Sequence, residues 1–121
     1  MVDFGNIKAE QRAIETTYTD FAEVLRTEME TDRSGITHDK TVTVLSSVRC
    51  ALSRGQNTSM QGNAQFVNHD AVLFVPPGTD IRAGDTVDVM RHSVLRRFLV
   101  IGNPNDYATH REVKLEERTL T

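Results

Sequence analysis

The stretch from Leu73 to Val89, LFVPPGTDIRAGDTVDV, leaves the chain little freedom in how it folds. Its apolar opening ends in Pro76-Pro77, and because proline has no N–H to give, ladder hydrogen bonding stops there. A turn at Gly78 and Asp80 follows. Gly84, free to take positive φ, and Asp85, able to bond its own turn, then launch a second alternating segment with Val87 and Val89 inward and Asp88 outward. A strand, a stop, a turn and a strand are how a compact β-barrel folds its chain back on itself.

The neighbouring segments continue this pattern. From Thr41 to Ser53, Val42, Val44, Ser46, Val48, Cys50 and Leu52 fall on one face, while Thr41, Thr43, Ser47, Arg49 and Ser53 mostly fall on the other. That is the period of a half-buried strand, and Leu45, which breaks it, marks a bulge. Further strands are expected over Leu95–Ile101 and Arg111–Glu116, with Val113 and Leu115 inward. Gly102–Asp106 reads as a long turn between them, and the tail EERTLT has little to fold around.

The N-terminal part is open to two readings. Ile7, Ile14, Tyr18, Phe21, Leu25 and Met29 make one helical stripe, yet Phe21, Glu23, Leu25, Thr27 and Met29 also form one side of a strand. Thr16, Thr17 and Thr19 weaken a continuous helix, because β-branched side chains lose rotamer freedom there. The expectation is a helix over about 7–17 and a strand from about Phe21 to Glu30. The polar segment Thr31–Lys40, with its central Ser34-Gly35, then reads as a hairpin connection. The expected fold is mainly β: one domain over residues 1–121, a small antiparallel β-barrel of about six strands spanning about 20–116, with an N-terminal helix and one long loop.

Composition bounds what such a domain does. Only 38% of the 121 residues are hydrophobic, 26% are charged and there is no Trp, a thin core for a free-standing monomer. This favours a protein completed by neighbours in an assembly. A net charge of −3 argues against a sequence-independent grip on nucleic acid, which needs a basic face that releases counterions. No apolar run approaches the ~20 residues that span a bilayer, and the single cysteine, Cys50, fits a protein made in a reducing cytoplasm.

No catalytic constellation is visible. His38, His69, His92 and His110 are scattered, none at metal-ligand spacing from another His or Cys. Cys50 reads as a small buried hydrophobe. Asp70 and Asp85 stand where turns ordinarily want such residues, and Gly78, Gly84 and Gly102 form no phosphate cradle because none opens a helix after a strand. Arg91, His92, Arg96 and Arg97 make a local basic cluster. A single-strand-binding barrel would also want surface aromatics to stack bases, whereas Phe74 and Phe98 read as core. Neither an enzyme nor a cofactor is expected.

One stretch stands apart. From Arg54 to Asn68 the sequence RGQNTSMQGNAQFVN loses all periodicity and fills with Gly, Asn, Gln and Ser. A connection this long in so small a domain is either functional or simply a surface loop.

Four runs taken together carry a resemblance. AIETTY at Ala13–Tyr18, VRCALS at Val48–Ser53, LFVPPGTDIRAGDTVDV at Leu73–Val89 and IGNPNDYATHREVKL at Ile101–Leu115 resemble, in that order, the head-closure or stopper proteins of long-tailed bacteriophages, a class of head-tail connector. The resemblance implies a structural protein of the virion neck, assembled in the host cytoplasm as a homo-oligomeric ring, a dodecamer. Such a ring lies beneath the portal and adaptor and above the tail terminator or tail proteins, and packaged DNA passes through its channel. Carried over by position, the loop that projects into the channel and retains DNA comprises Arg54, Gly55, Gln56, Asn57, Thr58, Ser59, Met60, Gln61, Gly62 and Asn63. The rival expectations are an adaptor or tail-completion protein of the same neck, or a small oligonucleotide-binding barrel.

Overall fold

The computed structural model describes residues 4–54 and 70–119. They form one helix, α1 (Phe4–Glu15), and seven strands: β1 (Asp20–Thr31), β2 (Thr37–Ser53), β3 (Ala71–Val75), β4 (Thr86–Arg91), β5 (Val94–Val100), β6 (Asn105–Asp106) and β7 (Arg111–Arg118). All pairings are antiparallel, and they close on themselves through six strands: β2 pairs with β1, β1 with β4, β4 with β5, β5 with β7, β7 with β3, and β3 again with β2. The two-residue β6, inside the expected long turn, takes the place beside Arg111 and Glu112 that β5 leaves free.

The core lies inside this closed sheet, where alternation puts Ala22, Val24, Cys50, Leu52, Leu73, Val87, Val89, Phe98, Val113 and Leu115. One expectation fails here. Phe74 is on the outer face, half-buried, its ring tilted on His110 at a 5.7 Å centroid distance; the inward positions of β3 are Ala71, Leu73 and Val75. An apolar run of five cannot declare which of its alternating residues faces inward. The neighbours β2 and β7 decide that.

Leu45 does mark an irregularity. Ala22, Val24 and Leu25 of β1 face Val48, Leu45 and Thr43 of β2, so β2 carries two extra residues, and Ser47 takes a φ of 54°. The helix stops at Glu15, short of the expected end. The hydroxyls of Thr16 and Thr17 bond the carbonyls of Ala13 and Ile14, which gives the backbone an alternative to another helical turn.

The second N-terminal reading holds: Phe21–Glu30 is strand. The connection after it is shorter than the polar composition implies, because Thr37–Lys40 also pairs and only residues 32–36 turn. Asp32 makes that turn, its carboxylate accepting from the amides of Ser34 and Ile36 and the hydroxyl of Ser34. Cross-strand pairs then extend the ladder outward, Thr31 with Thr37 at 3.0 Å and Glu30 with Lys40 at 3.6 Å.

Pairing of β1 with β4 ends at Leu25, and pairing of β2 with β3 begins only at Ala51. Residues 27–41 therefore form a two-stranded arm, exposed on both faces, beyond the closed sheet.

The conspicuous Leu73–Val89 stretch is not a hairpin. β3 and β4 lie on opposite sides of the closed sheet, three pairings apart either way round, so Pro76–Asp85 crosses one open end. Ile81, 1% exposed, fills that end as a plug.

Candidate functional site

Antiparallel pairing sorts the connections into two ends. At the turn end lie the Pro76–Asp85 crossing, the root of the arm and the β5–β7 connection. At the loop end lie the α1–β1 junction, both ends of the long β2–β3 loop, the β4–β5 turn and the finish of β7.

The turn end is locked by charge in a dry setting. Asp85, 2% exposed, accepts two hydrogen bonds from Arg26, at 2.9 Å to Nε and 2.8 Å to Nη2, and a third from the Arg82 amide at 2.8 Å. The carboxylate therefore does more than shape its own turn. It holds the crossing to the strand from which the arm departs, and the bidentate pair pushes the Arg26 pKa further up. Arg111 adds a second tie, donating to the carbonyls of Thr79 and Ile81.

The loop end is held differently. Of the expected channel-loop residues, Gly55, Gln56, Asn57, Thr58, Ser59, Met60, Gln61, Gly62 and Asn63 lie outside the described residues, whereas Arg54 is described. Arg54 donates to Oε1 of Glu117 at 2.7 Å. Asp70, at the other end of the loop, accepts from the Glu117 amide at 2.8 Å, and its own amide donates to the Leu115 carbonyl at 2.9 Å. Both ends of the loop are thus fastened to one residue of β7.

Arg96 donates to the second oxygen of Glu117 at 2.9 Å. The two guanidiniums, Arg54 first, hold the Glu117 carboxyl below the usual glutamate range.

Glu117 belongs to the tail expected to have little to fold around. Instead β7 runs on to Arg118, with Glu117 paired to Phe98. No local signal reveals it, since its partners are 63, 47 and 21 residues away in sequence.

The basic cluster resolves into individual partnerships. Arg97 forms a bidentate pair with Asp88 on the outer face, Arg96 shares Glu117, and Arg91 faces the buried Asp20 at 3.8 Å while donating to the Leu52 carbonyl at 3.0 Å. Asp20 also accepts the Leu52 amide at 2.9 Å, so this arginine-carboxylate contact fixes the start of β1 against the end of β2. A groove of about 250 Å³ opens here over Leu52 and Val89, walled by Arg54, Arg91, Arg96, His92 and Val94. His92 and Ser93, at φ 51° and 64°, make the tight two-residue turn of the β4–β5 hairpin.

Other expected features stay apart. Among the described residues no group of three or more His, Cys, Asp or Glu is placed to hold a metal ion. His38 lies on the arm beside Glu30, and His110 bonds Glu112 at 2.8 Å under the stacked ring of Tyr107. Cys50 is fully buried, its thiol pushed up to about 12 first by burial and then by Asp20. Among the described residues no helix is long and apolar enough to cross a membrane.

No family model and no curated protein matches the chain. Its fold is shared with solved structures. The solution structure of protein SF1141 from Shigella flexneri 2a superposes with a TM-score of 0.70 at 15% identity, covering 86% of this chain and 96% of the other. The phage-like element PBSX protein xkdH from Bacillus subtilis superposes with a TM-score of 0.50 at 15% identity, over 81% of this chain and 93% of the other. At such identity the likeness concerns the fold: a mainly β, antiparallel, closed sheet that a phage-like element also uses.

Proposed function

We propose that this chain is a structural protein of a phage neck, that it assembles as a homo-oligomeric ring beneath a portal or adaptor, and that its long loop helps to close the DNA channel. The observation that carries the reading is the fastening of both loop ends, through Arg54 and Asp70, to Glu117. This fastening fixes where the chain leaves the sheet and where it returns, as a plug made of many copies requires.

Three further features support it. Sequence runs spread along the chain resemble stopper proteins, and a protein of a phage-like element shares the fold. The loop is polar, with Gln56, Asn57, Gln61 and Asn63 able to pair across a ring, and its one cation, Arg54, is held back on Glu117. Such a loop stops DNA sterically without gripping the phosphates, so DNA slides once the channel opens. Phe21, Met90 and Leu95, adjacent across β1, β4 and β5, leave an exposed apolar row on the outer face, suited to a protein that works against neighbours.

The test is deletion of Gly55–Asn63. The shortened protein is expected to fold and enter particles, and those particles to lose DNA before tails join. Retention of DNA by such particles overturns the plug role.

A further inference from the structure

We infer that the β1–β2 arm of one copy docks in the arginine-walled groove at the loop end of a second copy of this chain. This deepens the ring reading, on which it rests, by naming the surfaces that meet.

The arm is built for a partner. Among the described residues it leaves two ladder edges unpaired, and its tip exposes Met29 (68%) and Ile36 (61%) among four carboxylates, Glu28, Glu30, Asp32 and Asp39, against only Arg33 and Lys40. The groove offers the complement. Arg54, Arg91 and Arg96 wall it with His92, their partners being two carboxylates, Glu117 and Asp20, and Val94 stands half-exposed at its lip. An acidic ribbon with an apolar tip therefore meets a cationic groove with an apolar floor.

One copy cannot satisfy itself. β1 starts beside the groove, where Asp20 meets Arg91, and ends at the arm tip; its 12 residues span roughly 35 Å at the rise of an extended strand. The two surfaces point to opposite ends of the molecule, so the contact is head-to-tail. Repeated with a closing rotation, a head-to-tail contact makes a ring.

The experiment traps the contact by mild oxidation of concentrated protein. Ile36→Cys and Val94→Cys chains are mixed, and the mixed pair is expected to cross-link faster than either chain with itself, while one chain carrying both changes gives a ladder. Adding Glu28→Lys with Glu30→Lys to the arm partner should cut the yield about fivefold, and Arg96→Glu in the groove partner should restore it. Raising salt to 0.5 M should lower the wild-type-charge yield in the same direction, a check that needs no groove substitution. Equal self- and cross-linking, a yield indifferent to both charge and salt, or no cross-link at all overturns the inference. The neck reading fails separately, through loop-deleted particles that keep their DNA.

Discussion

The two ends of the closed sheet are held by the same chemistry in opposite settings. At the turn end, Asp85 and Arg26 meet out of water, 3% and 15% exposed at the side chain, beneath a crossing plugged by Ile81. At the loop end, Arg54 and Glu117 meet at 38% and 29% exposure. A buried pair has little water to turn to when broken, whereas a wet pair exchanges readily with water and ions. One end is therefore a closure and the other a latch, and the latch is where the proposed channel loop is fastened.

The comparison breaks most directly at Asp85. Asp85→Ala leaves the Arg26 guanidinium only its longer contacts to the more exposed Asp80, 3.3 Å at the ion pair, and should cost about 3 kcal/mol, read as a lowered urea midpoint with unchanged slope. A loss below about 1 kcal/mol would make the turn end no different in kind from the latch.

Between the ends, Cys50→Ser puts an unpartnered hydroxyl in the core and should cost about 1–3 kcal/mol in the same assay. A fully stable Cys50→Ser protein that fails in assembly would show that the thiol has a role beyond packing.

Glu117→Gln sharpens the other side. Global stability should fall by no more than about 1 kcal/mol, while trypsin should cut after Arg54 markedly faster, because the Arg54 end of the loop is loosened without unfolding the sheet. If global stability falls as far as for Asp85→Ala, the latch is a closure too.

Near neutrality the smallest effects are those of pH. Glu117 has a depressed pKa, so its contribution is complete above the ordinary glutamate value of 4.5 and is lost as pH falls through the depressed one. Raised values act oppositely. Burial pushes the Cys50 thiol and the Tyr18 phenol up to about 12 from 9.0 and 10.0, so their contribution is complete below pH 9.0 and is lost as pH rises from there towards 12. Cys50→Ala should flatten the first part of that alkaline decline in a denaturation series, leaving the acid limb unchanged.

Much of the fold was legible because it is written in local periods. Val87, Val89, Val113 and Leu115 sit inward as their alternation requires, the bulge lies at Leu45, and Cys50 is buried. Legibility failed where a residue's setting depends on a distant neighbour. Phe74 looked like core until β2 and β7 set which face of β3 is inward. The arm read as a polar connection, since nothing in TDRSGITHDK says that its threonines will find partners in β1. Of the candidate channel loop, only Arg54 lies among the described residues, and its partner Glu117 stands in a tail read as having little to fold around.

The sequence by itself determined that the chain forms antiparallel strands around one small core, where Pro76-Pro77 stops a strand, and that one long stretch carries no periodicity. Those are consequences of backbone chemistry and of apolar residues spaced two apart, which act over a few residues. Only the tertiary structure decided that the Leu73–Val89 stretch bridges opposite walls and plugs one end, that Arg26 and Asp85 lock it, and that both ends of the long loop meet at Glu117. These depend on which strands become neighbours when the sheet closes, and that is settled by packing among residues far apart in sequence rather than by any segment's own preference.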